Sequence, residues 1–286
     1  MKNVNRLVGL WLLILAMAVG SWGVPVARAT ADPNEAIRPS ETIRLFNGKD
    51  LTSFYTWLVD HKHEDPDEVF SVVDRIDGGP AIRISGEHWG GIVTKEEYRD
   101  YHLVVEYRWG LATWGKRQDR TKDAGILLHG QGPDGNSTED FNGPWMRSVE
   151  FQIIQGGTGD IILVRGHTEN GELVAPRLTA TVGDGPKWDP DGTPREFEGG
   201  RIDWYGRDPE WNDVLGFRGR EDVEHPDGQW NRLEAFAEND SFVYMVNGVI
   251  VNKGTRSSLT AGKILVQSEG AEIYFRRIEL RPLPPQ

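Results

Sequence analysis

The stretch Ser241–Asn252, SFVYMVNGVIVN, holds two apolar-rich runs separated by Asn247 and Gly248. Both residues adopt positive φ at low cost, which a type I′ turn requires at its two central positions, so the stretch predicts a tight β-hairpin. The rest of the chain repeats the theme. AIRIS (81–85), GIVTK (91–95), YHLVVEYRW (101–109), AGILLH (124–129), SVEFQII (148–154), DIILVRG (160–166), NRLEAFAE (231–238), GKILVQS (262–268) and EIYFRRIEL (272–280) are short strand-like runs divided by Gly, Asp, Asn and Pro, with no sustained helical period. Short strands spaced in this way predict an all-β antiparallel sandwich of jelly-roll type.

The chain of 286 residues opens with a different pattern. Lys2 and Arg6 precede the apolar run LVGLWLLILAMAVG, and Ala27–Arg28–Ala29 has the small-x-small form of a signal-peptidase site. A signal peptide over 1–29, cleaved after Ala29, is therefore expected, with an exported, periplasmic or extracellular, product. A flexible leader is expected over 30–40, and a single domain over 41–286. Losing Lys2, Arg6 and Arg28 takes the formal net charge from −12 to −15. So acidic a surface repels nucleic-acid backbones and anionic lipid, which argues against both as partners and against a membrane after cleavage. The chain has no cysteine, which removes disulfides, thiolate metal sites and a cysteine nucleophile. Serine-hydrolase elbow, zinc-protease and P-loop motifs are missing as well.

Between Glu169 and Gly228 the strand pattern gives way to a long Gly-, Pro-, Asp- and Trp-rich insertion. Loops of that length in compact domains are commonly functional, and Trp188, Trp204, Tyr205 and Trp211 predict an ordered cover near a site. Within it, Asp189–Gly192, DPDG, reads as a plain turn. Glu87, His88 and Trp89 likewise read as a turn before a strand.

Parity along the strands points to a polar cluster. In Arg147–Gly157, RSVEFQIIQGG, Val149, Phe151 and Ile153 share one face while Ser148, Glu150, Gln152 and Ile154 share the other. In DAGILLHG, Ala124, Ile126 and Leu128 are core candidates, leaving Asp123, Gly125, Leu127 and His129 opposite. Arg165 and His167 share a face in DIILVRGH, as do Glu106 and Arg108 in HLVVEYRW. If these strands are neighbours in one curved sheet, Glu150, His129, Gln152, Asp123, Arg165, His167 and Glu106 converge on its concave side, with aromatics such as Trp145 at the rim. That is the general form of a carbohydrate cleft. A structural ion pair of Glu150 with Arg147 or Arg165 is the competing reading.

The segments LFNGKDLTSF, GGIVTKEEYRDYHLVVEYRW, DAGILLHGQGPDG, WMRSVEFQIIQGGTGDIILV, GQWNRLEAFAENDSFVYMVNGVIVNKG and GKILVQSEGAEIYFRRIELRPL follow one another as in the 3-keto-disaccharide hydrolase domain family, which the chain resembles over Thr42–Leu283. The resemblance implies a concanavalin A-like jelly roll and action on glycosides whose sugar is oxidised to a ketone at C3. Glu150 and Gln152 match that family's E-x-Q strand and Gly125 its Gly turn; Asp123 stands where Asn is frequent and His129 where Arg is frequent, so the role of His129 transfers less directly. By analogy, glucanases of this architecture carry E-x-D-x-x-E, whereas the same spacing here reads Glu150, Gln152, Gln155. With two carboxylates replaced by amides, ordinary double displacement lacks its residues.

A 3-keto sugar does not need that pair. Its ketone acidifies the C2 proton, so a base at C2 and an acid at the glycosidic oxygen permit elimination of the C1 aglycone, followed by hydration. Glu150 and His129 are the expected base and acid; Gln152, Asp123, Arg165, His167, Trp145 and Glu106 are the expected substrate-binding residues. Asp123, Glu150 and the histidines also offer donors for a divalent cation, though the sequence assigns none. A non-catalytic carbohydrate-binding module is the alternative.

Overall fold

The computed structural model describes residues 35–168 and 170–285. The expected signal peptide and the start of the expected leader lie outside the described residues. The described part of the leader is not free. Ile37 N donates to Glu97 O at 2.8 Å, Arg99 N donates to Ile37 O at 3.1 Å, and Ala36 is buried.

Two antiparallel sheets stack face to face. One runs, from edge to edge, Gly200–Ile202, Ile161–Val164, Arg147–Ile154, Asp123–Gln131, Lys263–Ser268, Gly90–Thr94 and Phe54–Leu58. The other runs Val249–Gly254, Ser241–Val246, Asn231–Glu238, Tyr101–Thr113, Ala271–Pro282, Gly79–Ile84 and Phe70–Ile76, with Ile43–Arg44 also paired to Ala271–Pro282. The chain passes repeatedly between the sheets, which gives the expected concanavalin A-like jelly roll. Asn247 and Gly248 turn the hairpin at φ 49° and 84°.

The core sits between the sheets, where the apolar faces inferred from parity meet. Val149, Phe151 and Ile153 from one sheet pack against residues such as Leu103, Tyr107 and Tyr244 from the other, and all are buried. The Phe151 and Tyr244 rings lie 4.1 Å apart and within 1° of parallel. A smaller apolar cluster of Val93, Leu127, Met146, Val164 and Leu265 covers part of the opposite face of the first sheet. That sheet is thus buried on both sides, although one parity of Arg147–Ile154 carries Ser148, Glu150 and Gln152.

From Asn170 on, the insertion is ordered. Arg177–Val182 and Thr193–Glu198 form a hairpin, and Gly200–Ile202 extends the first sheet by pairing with Ile161–Val164. Its aromatics serve packing more than cover. Trp188 and Trp204 belong to the core, and Trp211 Nε1 donates to Gln155 O at 2.9 Å.

His129 departs from its expected place. The register of Asp123–Gln131 against Arg147–Ile154 shifts between Leu128 and Gln131, and His129 takes φ 54°. A bulge with one left-handed residue reverses the alternation, so the imidazole turns inward. It packs against Tyr101 and Phe242 at 5.6 and 5.1 Å between centroids, and its Nδ1 lies 3.1 Å from Leu259 O. Burial pushes its pKa down to about 4.

A histidine neutral in the fold and ordinary in the unfolded chain stabilises fully above pH 6.5 and loses that contribution as pH falls toward 4, on the order of 3 kcal/mol in all. His129→Asn, which tolerates the left-handed backbone, should lose less Tm than the wild type between pH 7 and 4 in parallel thermal unfolding. Equal losses in the two proteins would contradict this placement.

Candidate active site

A cleft of about 440 Å³ opens on the outer face of the first sheet. Asp123–Gln131 contributes Asp123 and Gly125, and Arg147–Ile154 contributes Glu150 and Gln152. Gln267 comes from Lys263–Ser268 and Glu269 from the turn after it. Arg201 projects from the edge strand of the insertion, and Arg117 ends the short 3-10 turn Gly115–Arg117. Trp145, Ile162, Val164 and Arg165 complete the walls.

The strand register explains the floor. Gly125 sits opposite Gln152, and Leu127 opposite Glu150. A Cβ on Gly125 would lie 2.3 Å from Glu150 Oε1 and 2.5 Å from Gln267 Oε1, so glycine is what lets the two side chains converge above the sheet. Glu150 Oε1, Gln267 Oε1 and Asp123 Oδ1 are buried without a hydrogen-bond partner among the described residues. Acceptors left open in this way are costly unless something that donates hydrogen bonds fills the space.

Charge is organised around these acceptors. Arg117 forms a short contact with Asp123 and lies 3.4 Å from Glu269 Oε1. Asp160, fully buried, accepts from Arg201 at 2.6 Å, Arg207 at 2.5 Å and Trp204 N at 2.7 Å, which anchors Arg201 at the cleft wall. Burial raises the Glu150 pKa to about 8, helped by the Glu269 and Asp160 charges and opposed by Arg201 and the Gln267 amide. Burial likewise raises Glu269 to about 7, with Arg117 and Arg201 opposing. The two interacting carboxyls therefore titrate in the neutral range as a pair.

Of the residues expected in the cleft, Glu150, Gln152, Asp123, Arg165 and Trp145 line it. Three do not. His129 is in the core, as described. His167 lies in Gly166–His167, which pairs with Leu173–Val174; its Nδ1 is 2.8 Å from Asn136 O and its ring stacks on Phe141 at 4.0 Å. The strand ends at Val164, so the parity joining His167 to Ile161 and Leu163 does not continue. Glu106 belongs to the other sheet. Arg276, Arg277 and Arg232 surround its carboxylate at 2.6, 3.4 and 3.6 Å, because parity selects a face but not a sheet. With both histidines elsewhere, the cation ligand set of Asp123, Glu150 and the histidines is not assembled.

Arg117, Arg201, Gln267 and Glu269 were not singled out from sequence. Gln267 was within reach of the same parity argument, since Ile264 and Val266 are core residues and Gln267 alternates with them. The other three come from turns and a short edge strand that carry no period. Ala at Gly125 should lower Tm by several degrees through overpacking, about 1–3 kcal/mol, measurable by thermal unfolding. An unchanged Tm would mean that Glu150 and Gln267 do not converge there.

The family model described as 3-keto-alpha-glucoside-1,2-lyase-like domain matches residues 41–281. Among solved structures, the chain is similar to a proposed glycosyl hydrolase from Parabacteroides distasonis ATCC 8503, with 16% identity over 85% of this chain and 94% of that one at a TM-score of 0.46. A β-glucanase from Bacillus licheniformis matches with 10% identity, 85% and 99% coverage and a TM-score of 0.40. The carbohydrate-binding module CBM66 from Bacillus subtilis matches with 9% identity, 73% and 91% coverage and a TM-score of 0.36. No curated protein matches the sequence significantly.

Proposed function

Because the chain belongs to the 3-keto-alpha-glucoside-1,2-lyase-like domain family, we propose that the cleft cleaves 3-keto-glycosides by elimination across C1 and C2 followed by hydration. The observation that carries this reading is a pair of interacting carboxyls in one cleft, Glu150 buried and Glu269 largely shielded, both raised toward the neutral range and flanked by Arg117 and Arg201. A proton shared by two such groups at neutral pH supplies one acid and one base in a single site. Glu269 has the Arg117 guanidinium 3.4 Å from its carboxylate, so we take Glu269 as the ionised partner and Glu150 as the protonated one. This assigns Glu269, in place of His129, as the partner of Glu150.

In this mechanism the Glu269 carboxylate removes the C2 proton of the sugar, and the electron pair moves into the C3 carbonyl to form an enolate. Arg201 and Arg117 stabilise the developing charge on oxygen. Collapse of the enolate forms the C1–C2 double bond and breaks the bond from C1 to the aglycone oxygen, which takes the Glu150 proton. Water then adds across the double bond, its oxygen to C1 and a proton to C2, which gives the 3-keto sugar. Gln152 and Gln267 are placed to hold sugar hydroxyls, and Trp145, stacked on Trp89 at 6.1 Å, offers an apolar wall for a pyranose face.

The test is aglycone release from a 3-keto-glucoside and from its unoxidised parent. Release from the keto form alone is expected, with Glu150→Gln and Glu269→Gln each lowering kcat about 100-fold or more and His129→Asn within about threefold of wild type. Activity should rise with pH through about 7, as the base ionises, and fall above about 8, as the acid loses its proton. Binding of the parent glycan without turnover of either compound would instead support a carbohydrate-binding module. Export with cleavage after Ala29 belongs to the same proposal, and N-terminal sequencing of the secreted protein, expected to begin at Thr30, checks it.

A further inference from the structure

Outside the cleft, two loops at the Phe54–Leu58 end of the same sheet bring His61, Asp67 and His88 together. Their donor atoms lie within 4.8 Å of one another. Asp67 Oδ2 is 3.3 Å from His61 Nε2 and 3.2 Å from His88 Nε2. With metal–nitrogen and metal–oxygen bonds of about 2.0–2.1 Å, the ligands of a tetrahedral centre stand about 3.3 Å apart. The two measured edges match that spacing.

The outer contacts match as well. His88 Nδ1 lies 3.3 Å from Asp60 Oδ2, the carboxylate–histidine arrangement that orients a metal-binding imidazole. With Nδ1 turned to Asp60, His88 Nε2 faces the Asp67 carboxylate at 3.2 Å, a contact that either a proton on Nε2 or a shared metal ion completes. His61 Nε2 is shielded from solvent and makes no hydrogen bond among the described residues, although it too faces Asp67.

Backbone contacts hold the ligands in place independently. Leu58 and Lys62 exchange hydrogen bonds of 2.7 Å on either side of His61, and Ser268 Oγ donates to His88 O at 2.6 Å. Asp65 accepts from Val69 N at 2.8 Å and Phe70 N at 2.9 Å, which sets the loop carrying Asp67.

We propose that His61, His88 and Asp67 form a binding site for a divalent transition metal of the zinc class, with Asp60 as outer support and one coordination position left to solvent. Two imidazoles and one carboxylate suit Zn²⁺ or Co²⁺ and disfavour Ca²⁺ and Mg²⁺, which take oxygen ligands. The metal would join the loop before Phe70 to the loop before Gly90. His88 directly precedes Trp89, which stacks on the cleft residue Trp145, so the joined loops would brace that wall.

The test uses the mature full-length protein stripped of metal, titrated with Zn²⁺ in a calorimeter and with Co²⁺ by visible absorption. One equivalent of each is expected to bind, Co²⁺ with the intense d–d bands of a tetrahedral or five-coordinate site. His61→Ala and His88→Ala should abolish both signals, and Asp60→Asn should weaken Zn²⁺ binding about 10–100-fold while leaving the stoichiometry unchanged. Glu150→Gln should bind Zn²⁺ like the wild type, which separates this site from the cleft. The proposal is overturned if Zn²⁺ does not bind at about 100 µM, or if binding survives both histidine substitutions.

Discussion

The parallel stack of Phe151 on Tyr244 joins the two sheets at 4.1 Å and commits one face of Arg147–Ile154 to the core. Because side chains alternate along a strand, the same commitment sends Glu150 and Gln152 to the other face. Most antiparallel sandwiches present that second face to water, where a carboxylate has its ordinary properties. Here Leu127, Val93, Leu265, Val164 and Met146 cover part of it, and the carboxyl at its centre is buried. A packing decision made in the core thereby becomes an electrostatic one in the cleft.

Burial raises the Glu150 pKa most; Glu269 and Asp160 raise it further, while Arg201 and the Gln267 amide favour the ionised form. Asp160, buried at the turn before Ile161–Val164, holds Arg201 and Arg207 together and orients Arg201 toward the carboxyls. Arg117 does the corresponding work from the other side, pinned by Asp123 and by Asp213 of the insertion at 3.4 Å. The long insertion thus serves the cleft mainly through Arg201 and Asp213. Its tryptophans, which from composition looked like a cover, fill the core and the loop's own interior because large apolar rings gain most where both faces are buried.

Asp123, Glu150 and Gln152, on uninterrupted strands with a strict period of two, were legible in advance and lie in the cleft, as do Trp145 and Arg165 just beyond the strand ends. His129 follows the same period for three steps and then meets a bulge, a backbone event decided by packing around Tyr101 and Phe242. His167 lies past a strand end. Glu106 has the correct parity on the wrong sheet, where three arginines neutralise it.

By itself the sequence determined the jelly-roll class, the hairpin at Asn247–Gly248, the family, and the side of the central strand that bears Glu150 and Gln152. These depend on local conformational preference and on alternation, which a linear chain carries explicitly. Only the tertiary structure decided that Glu269 stands beside Glu150, that Arg117 and Arg201 flank them, and that His61 and His88 meet at Asp67. Those groups are separated by six to more than a hundred residues, and most of them sit on turns and edges. Their proximity follows from the stacking and register of whole sheets, which no local pattern encodes.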